Sequence, residues 1–255
     1  MEQTLEFPDL LRAIDDRSAA FRAAVASAPS LDVTVPTCPE WTLFDLVKHL
    51  GEGRRAWAAT VVAGPQATAK VIPQGEPAAP RESEALAEWS AESTRQLLDA
   101  LREAGPDRAC WAWWGRSQSP LTCAAVARRQ LAEIAVHTYD AQLTVGAPEP
   151  LPDAIAVDAA EEFLTTFCTT TVAWPHEPAV VDYHVGEGRS WRNQLSGDGA
   201  RVFRLAGPGQ AADATAEGSA HELVLALYGR LPLDSLKLDG NRLLFDQLVE
   251  WDPER

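Results

Sequence analysis

The chain has 255 residues, of which 46% are hydrophobic, so it can form one large domain or two domains of ordinary size. Its net charge of −15 repels phosphate backbones and anionic lipid, and no apolar run reaches the roughly 20 residues that span a bilayer. We therefore expect a soluble, cytoplasmic protein that binds neither nucleic acid nor membrane.

The first part of the chain has the periodicity of helices. Apolar residues recur at helical spacing in four stretches, which turn residues separate. The predicted helices cover residues 5–25, 42–62, 82–103 and 119–145. Thr42 and Asp45 form a capping box at the start of the second helix, although Gly51 and Gly53 weaken the prediction of its middle. Together with the Pro-rich break at residues 146–150, this pattern predicts a four-helix bundle over residues 1–148.

The remainder of the chain has a mixed pattern. A helix is predicted over residues 153–170, and two strand-like runs bounded by Gly clusters follow at residues 180–185 and 200–205. Another helix is predicted over residues 219–227. Residues 149–255 therefore read as a small α+β domain, and the fold class of the whole chain is α+β with two domains.

The four cysteines include no Cys-x-x-Cys pair, which argues against a zinc ribbon and against a disulfide framework. We expect most of them to be buried thiols. Cys38 lies in a Thr-Cys-Pro turn with no adjacent base in the sequence, which disfavours this thiol as a catalytic nucleophile.

A candidate metal site begins with Glu133 and His137 on the predicted fourth helix. Residues four apart lie one above the other, so this carboxylate and this imidazole can contact one metal ion. Helical bundles build metal sites from inward side chains of facing helices, and His49 on the second helix is our candidate for the third ligand. Two imidazoles and a carboxylate with one open position are the ligand set of a catalytic zinc site.

The same residues also have a simpler interpretation. On a helical wheel Glu133 and His137 point away from the apolar line through Leu131 and Ile134, so they can form a solvated polar face with an ordinary i,i+4 contact. Asp45 and Glu52 are alternative ligands close to His49 in sequence, and their ordinary role is solvated charge. Asp140, three residues after His137, is spaced to orient that imidazole.

The motifs around these residues resemble the mycothiol-dependent maleylpyruvate isomerase family. That family combines a DinB-like metal-binding four-helix bundle with a smaller, sterol-carrier-like α/β C-terminal domain. The stretches that carry the resemblance are Thr37-Cys38-Pro39-Glu40-Trp41-Thr42, Asp45-Leu46, His49-Leu50, Arg128-Arg129-Gln130, Glu133, Ala135-Val136-His137, Asp140-Ala141, Ala212-Asp213-Ala214-Thr215, Leu223–Leu227, Tyr228-Gly229-Arg230 and Pro232-Leu233.

The resemblance implies that His49, Glu133 and His137 bind a divalent metal, with zinc as the expected ion. It also implies that Arg230 is a catalytic residue that reaches a substrate carboxylate, although Gly229-Arg230 equally fits a helix C-cap followed by a solvated arginine. Mycothiol is the implied thiol cosubstrate. Its thiolate would add to the activated double bond of maleylpyruvate, the resulting single bond would rotate, and elimination would return the trans isomer.

Several alternatives stay open at this stage. The same thiolate can attack other small electrophiles, so thiol S-transfer is a second reaction class, and the chain can be a monomer or a homodimer. A non-catalytic module that binds a small apolar ligand, with a structural bundle, is the rival from another functional class. Glu40 stands where relatives often have Gly, and Gly53 stands where they often have an apolar residue. The identity of the substrate therefore stays open. Trp111, Trp113 and Trp114 either line a pocket or pack in a core.

Overall fold

The computed structural model describes residues 5–186, 188–207 and 211–251. It divides into two compact units. The first contains residues 5–113 and 121–155, and the second contains residues 114–120 and the described residues from 156 onwards. The fold class predicted from the sequence, a helical N-terminal part followed by a small α/β part, is confirmed. The domain limits 1–148 and 149–255 stay a prediction.

The first unit is built on four long helices and a two-stranded hairpin. The helices are α1 (Phe7–Ala26), α2 (Leu43–Ala63), α3 (Ser83–Ala104) and α4 (Cys123–Thr144), and the hairpin strands are β1 (Thr34–Val35) and β2 (Cys38–Thr42). Helix α1 packs mainly against α4, and α2 packs mainly against α3. Buried leucines from all four helices form the core between them, with Phe21 and Trp57.

Helix α4 begins later than the sequence pattern suggests. The predicted start at Ser119-Pro120 is wrong, because Thr122 is the N-cap: its hydroxyl accepts a hydrogen bond from the amide of Ala125. The helix then runs from Cys123 to Thr144 without a break. This continuity fixes the spacing of its polar residues over six turns.

Helix α2 is continuous through its two glycines. A Cβ atom added at Gly51 would lie 2.0 Å from the indole ring of Trp89, so only glycine allows α3 to approach this closely. At Gly53 an added Cβ would meet no atom within 4 Å. The glycine at position 51 therefore belongs to the packing of α2 on α3 and does not interrupt the helix.

The second unit contains a mixed five-stranded sheet in the order β5-β4-β3-β6-β7. Strand β3 pairs antiparallel with β4 and parallel with β6. The chain between β3 and β6 therefore includes a crossover connection. The remaining elements are helices α5, α6 and α7, and α5 belongs to this unit from residue 156 onwards. Their bounds are α5 (Asp153–Thr166), β3 (Ala179–Val185), β4 (Ser190–Ser196), β5 (Gly199–Arg204), β6 (Ala214–Gly218), α6 (Ala220–Leu227), β7 (Lys237–Gly240) and α7 (Leu243–Glu250).

The three clustered tryptophans occupy separate environments. Trp114 is buried and its indole N–H donates to the carbonyl of Pro120, whereas Trp113 is 39% exposed. Trp111 packs near Trp57, with ring centroids 6.4 Å apart. These contacts favour a role in packing, and they do not favour a common pocket wall.

Within the described part of the chain, no helix has the length and apolar character that crossing a bilayer requires.

Candidate metal centre

Helices α2 and α4 bring together the three side chains that the sequence analysis selected. Glu133 Oε1 lies 3.1 Å from His49 Nε2 and 3.4 Å from His137 Nε2. One ligand atom from each residue lies within 4.8 Å of the other two. Among the described residues, no other group of His, Cys, Asp or Glu side chains is close enough to hold a metal ion in this way. Two neighbouring turns of α4 supply Glu133 and His137, and the facing helix α2 supplies His49.

The spacing of these atoms fits a metal ion. Tetrahedral zinc binds nitrogen and oxygen at about 2.0–2.1 Å, which separates neighbouring ligand atoms by about 3.3 Å. The two separations from Glu133 Oε1 bracket that value, and all three ligand atoms lie within 4.8 Å of one another. Three nitrogen and oxygen ligands leave one coordination position for a substrate. The side chain of His49 is 42% exposed and that of His137 only 9%, so the group opens to solvent on the His49 side.

A hydrogen-bonded chain fixes the orientation of His137. Its Nδ1 lies 2.8 Å from Oδ2 of Asp140, and Oδ1 of the same carboxylate accepts a 2.6 Å hydrogen bond from the hydroxyl of Thr37. Because an ionised carboxylate only accepts, Nδ1 of His137 carries a proton, and Nε2 is the ring nitrogen that faces Glu133. Asp140 therefore has the orienting position that its spacing predicted, and such contacts hold metal-binding histidines in many proteins.

The second oxygen of Glu133 accepts a hydrogen bond from Arg129, one turn earlier on α4. Burial raises the pKa of the Glu133 carboxyl, but hydrogen bonds from His137 and His49 and the charge of Arg129 outweigh it and hold the pKa well below its ordinary value. Burial lowers the pKa of His137, whereas its contacts with Asp140 and Glu133 produce a net rise. The ionised carboxylate that a cation needs is thus present throughout the neutral range.

Trp41 on strand β2 lies against both imidazoles. Its ring centroid is 4.7 Å from that of His49 and 6.3 Å from that of His137. The hairpin turn carries Thr37 and the following strand carries Trp41, so one short element contacts the site twice. Sequence reasoning gave no role to Thr37, Trp41 or Arg129, although all three fall within the motifs that carry the family resemblance.

The structure overturns the solvated-face interpretation of α4. Arg129, Gln130, His137 and Asp140 are all buried, so the polar side of this helix packs inside the unit. The alternative ligands are engaged elsewhere. The Asp45 carboxylate accepts from the backbone and the hydroxyl of Thr42 in the capping box, which lowers its pKa, and Glu52 forms an exposed ion pair with Lys48.

Arg230 lies in the second unit, directly after α6. Gly229 has φ of +71° and ends that helix, as the C-cap interpretation expects, and Arg230 Nη1 donates a 2.8 Å hydrogen bond to the carbonyl of Tyr228. The side chain is half-buried. Its assignment as a catalytic residue stays a prediction.

Cys38 is the first residue of strand β2 and is half-buried, and Glu40 on the same strand is exposed.

Two family models match the chain. Residues 11–142 match the mycothiol maleylpyruvate isomerase N-terminal domain, and residues 154–247 match the C-terminal domain of the same family. Two crystal structures titled as the mycothiol-dependent maleylpyruvate isomerase, one of them a point mutant, are similar in fold. Each covers 94% of this chain and 96% of its own, at 14% identity and a TM-score of 0.62. A search of curated protein sequences finds no significant match.

Proposed function

Because the chain belongs to the mycothiol maleylpyruvate isomerase family, an enzyme family, we propose that it is a metal-dependent enzyme with mycothiol as its thiol cosubstrate. Its substrate would be a small electrophile, and the reaction would be isomerisation or S-transfer. The observation that supports this proposal most strongly is the convergence of His49, Glu133 and His137, with His137 oriented by a buried carboxylate.

The residues of the first unit have distinct roles in this proposal. His49, Glu133 and His137 would bind the divalent ion, with zinc as the expected metal. The ion, when bound, would lower the pKa of the mycothiol thiol so that a nucleophilic thiolate exists at neutral pH. Asp140, which accepts a hydrogen bond from Thr37, holds a proton of His137 on Nδ1, so that Nε2 would be the nitrogen that binds the ion, and Arg129 holds the second oxygen of Glu133. The exposed edge of His49 leaves this side accessible to a bulky thiol.

Trp41 would help to exclude water from the reacting groups. Its indole ring packs at a tilt against both imidazoles, and an apolar wall beside a cation strengthens the electrostatic interactions on that side. We therefore assign Trp41 to the positioning of the two histidines and not to chemistry.

The test is an assay of maleylpyruvate isomerisation and of thiol transfer to a reporter electrophile, with mycothiol or glutathione as the thiol. The wild type should turn over one of the two substrates only with mycothiol, lose activity after chelation and recover it with added zinc. His137→Ala should remain inactive after the same treatment. Turnover that is independent of the thiol, or equal activity in His137→Ala, would contradict the proposal.

Arg230 has a separate test within this proposal. A guanidinium that binds a substrate carboxylate by two parallel hydrogen bonds is poorly replaced by a single ammonium. Arg230→Gln should raise KM for a carboxylate substrate at least tenfold, and Arg230→Lys should recover only part of that loss. Unchanged KM in Arg230→Gln would leave the arginine with its C-cap role alone.

A further inference from the structure

A cavity of about 250 Å³ lies in the first unit between α1, the loop at residues 28–31, α2 and α3. Its floor is apolar and buried, and its mouth is formed by exposed residues that include Pro29, Ser30 and Glu84. The volume is slightly below that of typical drug-sized pockets, so it suits a small ligand. The buried floor is formed by Phe21, Val47 and Leu86.

The cavity does not belong to the metal centre. None of its lining residues is His49, Glu133 or His137. Val47 and His49 are two residues apart on α2, which turns their side chains about 200° from each other around the helix axis. The cavity and the candidate metal ligand therefore lie on opposite sides of α2.

Two polar groups lining the cavity are buried without a protein partner. Arg22 Nη1 and Ser90 Oγ have almost no solvent exposure, and neither has a hydrogen-bond partner among the described residues. Ser90 as a whole is 1% exposed. Native structures pair nearly all buried polar groups, because a buried donor without an acceptor loses the hydrogen bond it makes to water. The guanidinium nitrogen can only donate and the serine hydroxyl can also donate, so an acceptor is what the cavity would bind best.

The charges around the cavity favour an anion. No carboxylate of the described chain forms an ion pair with Arg22. Burial lowers the pKa of the Arg22 guanidinium, and the negative charge of Asp15 offsets part of that decrease. The guanidinium stays protonated, because arginine does not lose its proton at neutral pH. Arg54 is fully buried and lies nearby. Its side chain donates hydrogen bonds to two neutral groups, the hydroxyls of Ser18 and Thr94. The guanidinium groups of the half-buried Arg22 and the buried Arg54 thus create a positive potential within this part of the unit.

We propose that this cavity binds a small organic carboxylate with an apolar body. The carboxylate accepts hydrogen bonds from Arg22 and Ser90, and the apolar body contacts Phe21, Val47 and Leu86. An inorganic phosphate is disfavoured, because the apolar floor offers it no further donors and Glu84 at the mouth repels a dianion. This second site is independent of the proposed reaction at the metal centre.

Calorimetric titration of the full chain with benzoate and with benzamide tests the proposal, since the two probes share a shape but differ in charge. Benzoate should bind at least tenfold more tightly than benzamide. Arg22→Gln should weaken benzoate binding at least tenfold, and Ser90→Ala should weaken it several-fold. Arg12→Gln removes the same charge from an exposed position of α1 and should bind benzoate like the wild type.

Three results would overturn the proposal. One is equal or absent binding of the two probes by the wild type, and another is unchanged benzoate affinity in both Arg22→Gln and Ser90→Ala. The third is loss of binding in His137→Ala with retention in Arg22→Gln, which would locate the anion at the metal centre. Thermal unfolding without ligand separates binding from folding: Arg22→Gln should melt no lower than the wild type, whereas a structural role for Arg22 predicts a lower Tm.

Discussion

Asp140 is the fully buried carboxylate beside the candidate metal ligands, and its two oxygens connect His137 to Thr37. Replacing Asp140 with Asn preserves the shape but removes the charge that fixes the imidazole. Loss of such an orienting contact typically weakens metal affinity about 10- to 100-fold. We therefore expect Asp140→Asn to release zinc to a competing chelator at concentrations at least tenfold lower than the wild type does.

Glu52→Gln is the matched control for this substitution. It also removes one carboxylate, three residues from His49, but Glu52 is exposed and paired with Lys48. Its zinc affinity should equal that of the wild type. If Asp140→Asn retained wild-type affinity, or if Glu52→Gln lost as much, the orienting role of Asp140 would be wrong.

Single residues of the site were predictable where local geometry decides their position. The i,i+4 spacing on a helix without Gly or Pro was enough to select Glu133 and His137, and Asp140 followed by the same rule. His49 needed the bundle architecture and the family resemblance. The contacts of Thr37 and Trp41 could not be derived, because they depend on how a hairpin folds against a helix about 100 residues away in sequence.

At the scale of elements, the approach of α2 to α3 depends on one glycine. The ring of Trp89 lies where a Cβ of residue 51 would be, and it cannot move easily, since its N–H donates to the carbonyl of Pro77 and Arg55 lies over its face. Gly51→Ala should destabilise the protein by about 1–2 kcal/mol, because overpacking outweighs the gain in helix propensity.

Gly53→Ala is the control in the same helix. An added methyl group meets no neighbour there, so the substitution should stabilise the protein by up to about 1 kcal/mol through helix propensity. Urea unfolding of both variants measures these changes. Equal effects in the two variants would show that propensity, and not contact with Trp89, determines the choice of glycine.

The helices were easier to predict than the sheet for a physical reason. Long amphipathic periods and capping residues mark helices, whereas three of the five sheet strands lack strong apolar alternation. Strand β4 buries Asn193 at its centre, β6 consists largely of small residues, and β7 has only four residues. Such strands form because neighbours in the sheet pair with them, which no local pattern reveals. Helix α7 was missed as well, with no capping side chain at its start.

At the scale of the whole molecule, metal binding should be visible as stability. An ion that binds only the folded state at 100 times its Kd stabilises by about 2.7 kcal/mol, which corresponds to a rise in Tm of roughly 5–10 °C for units of this size. Zinc added to chelator-treated protein should therefore raise the Tm of the wild type. His137→Ala should show no such rise, and an equal rise in both proteins would indicate binding elsewhere.

The most direct test of the central claim is the metal content per chain, measured by plasma mass spectrometry on protein purified without chelator and without affinity-tag histidines. The wild type should contain about one zinc or other divalent ion per chain, and His137→Ala should contain almost none. If neither protein retained stoichiometric metal, even after zinc is added back and excess is removed, His49, Glu133 and His137 would not be a metal centre. The proposed metal-dependent chemistry would then be wrong.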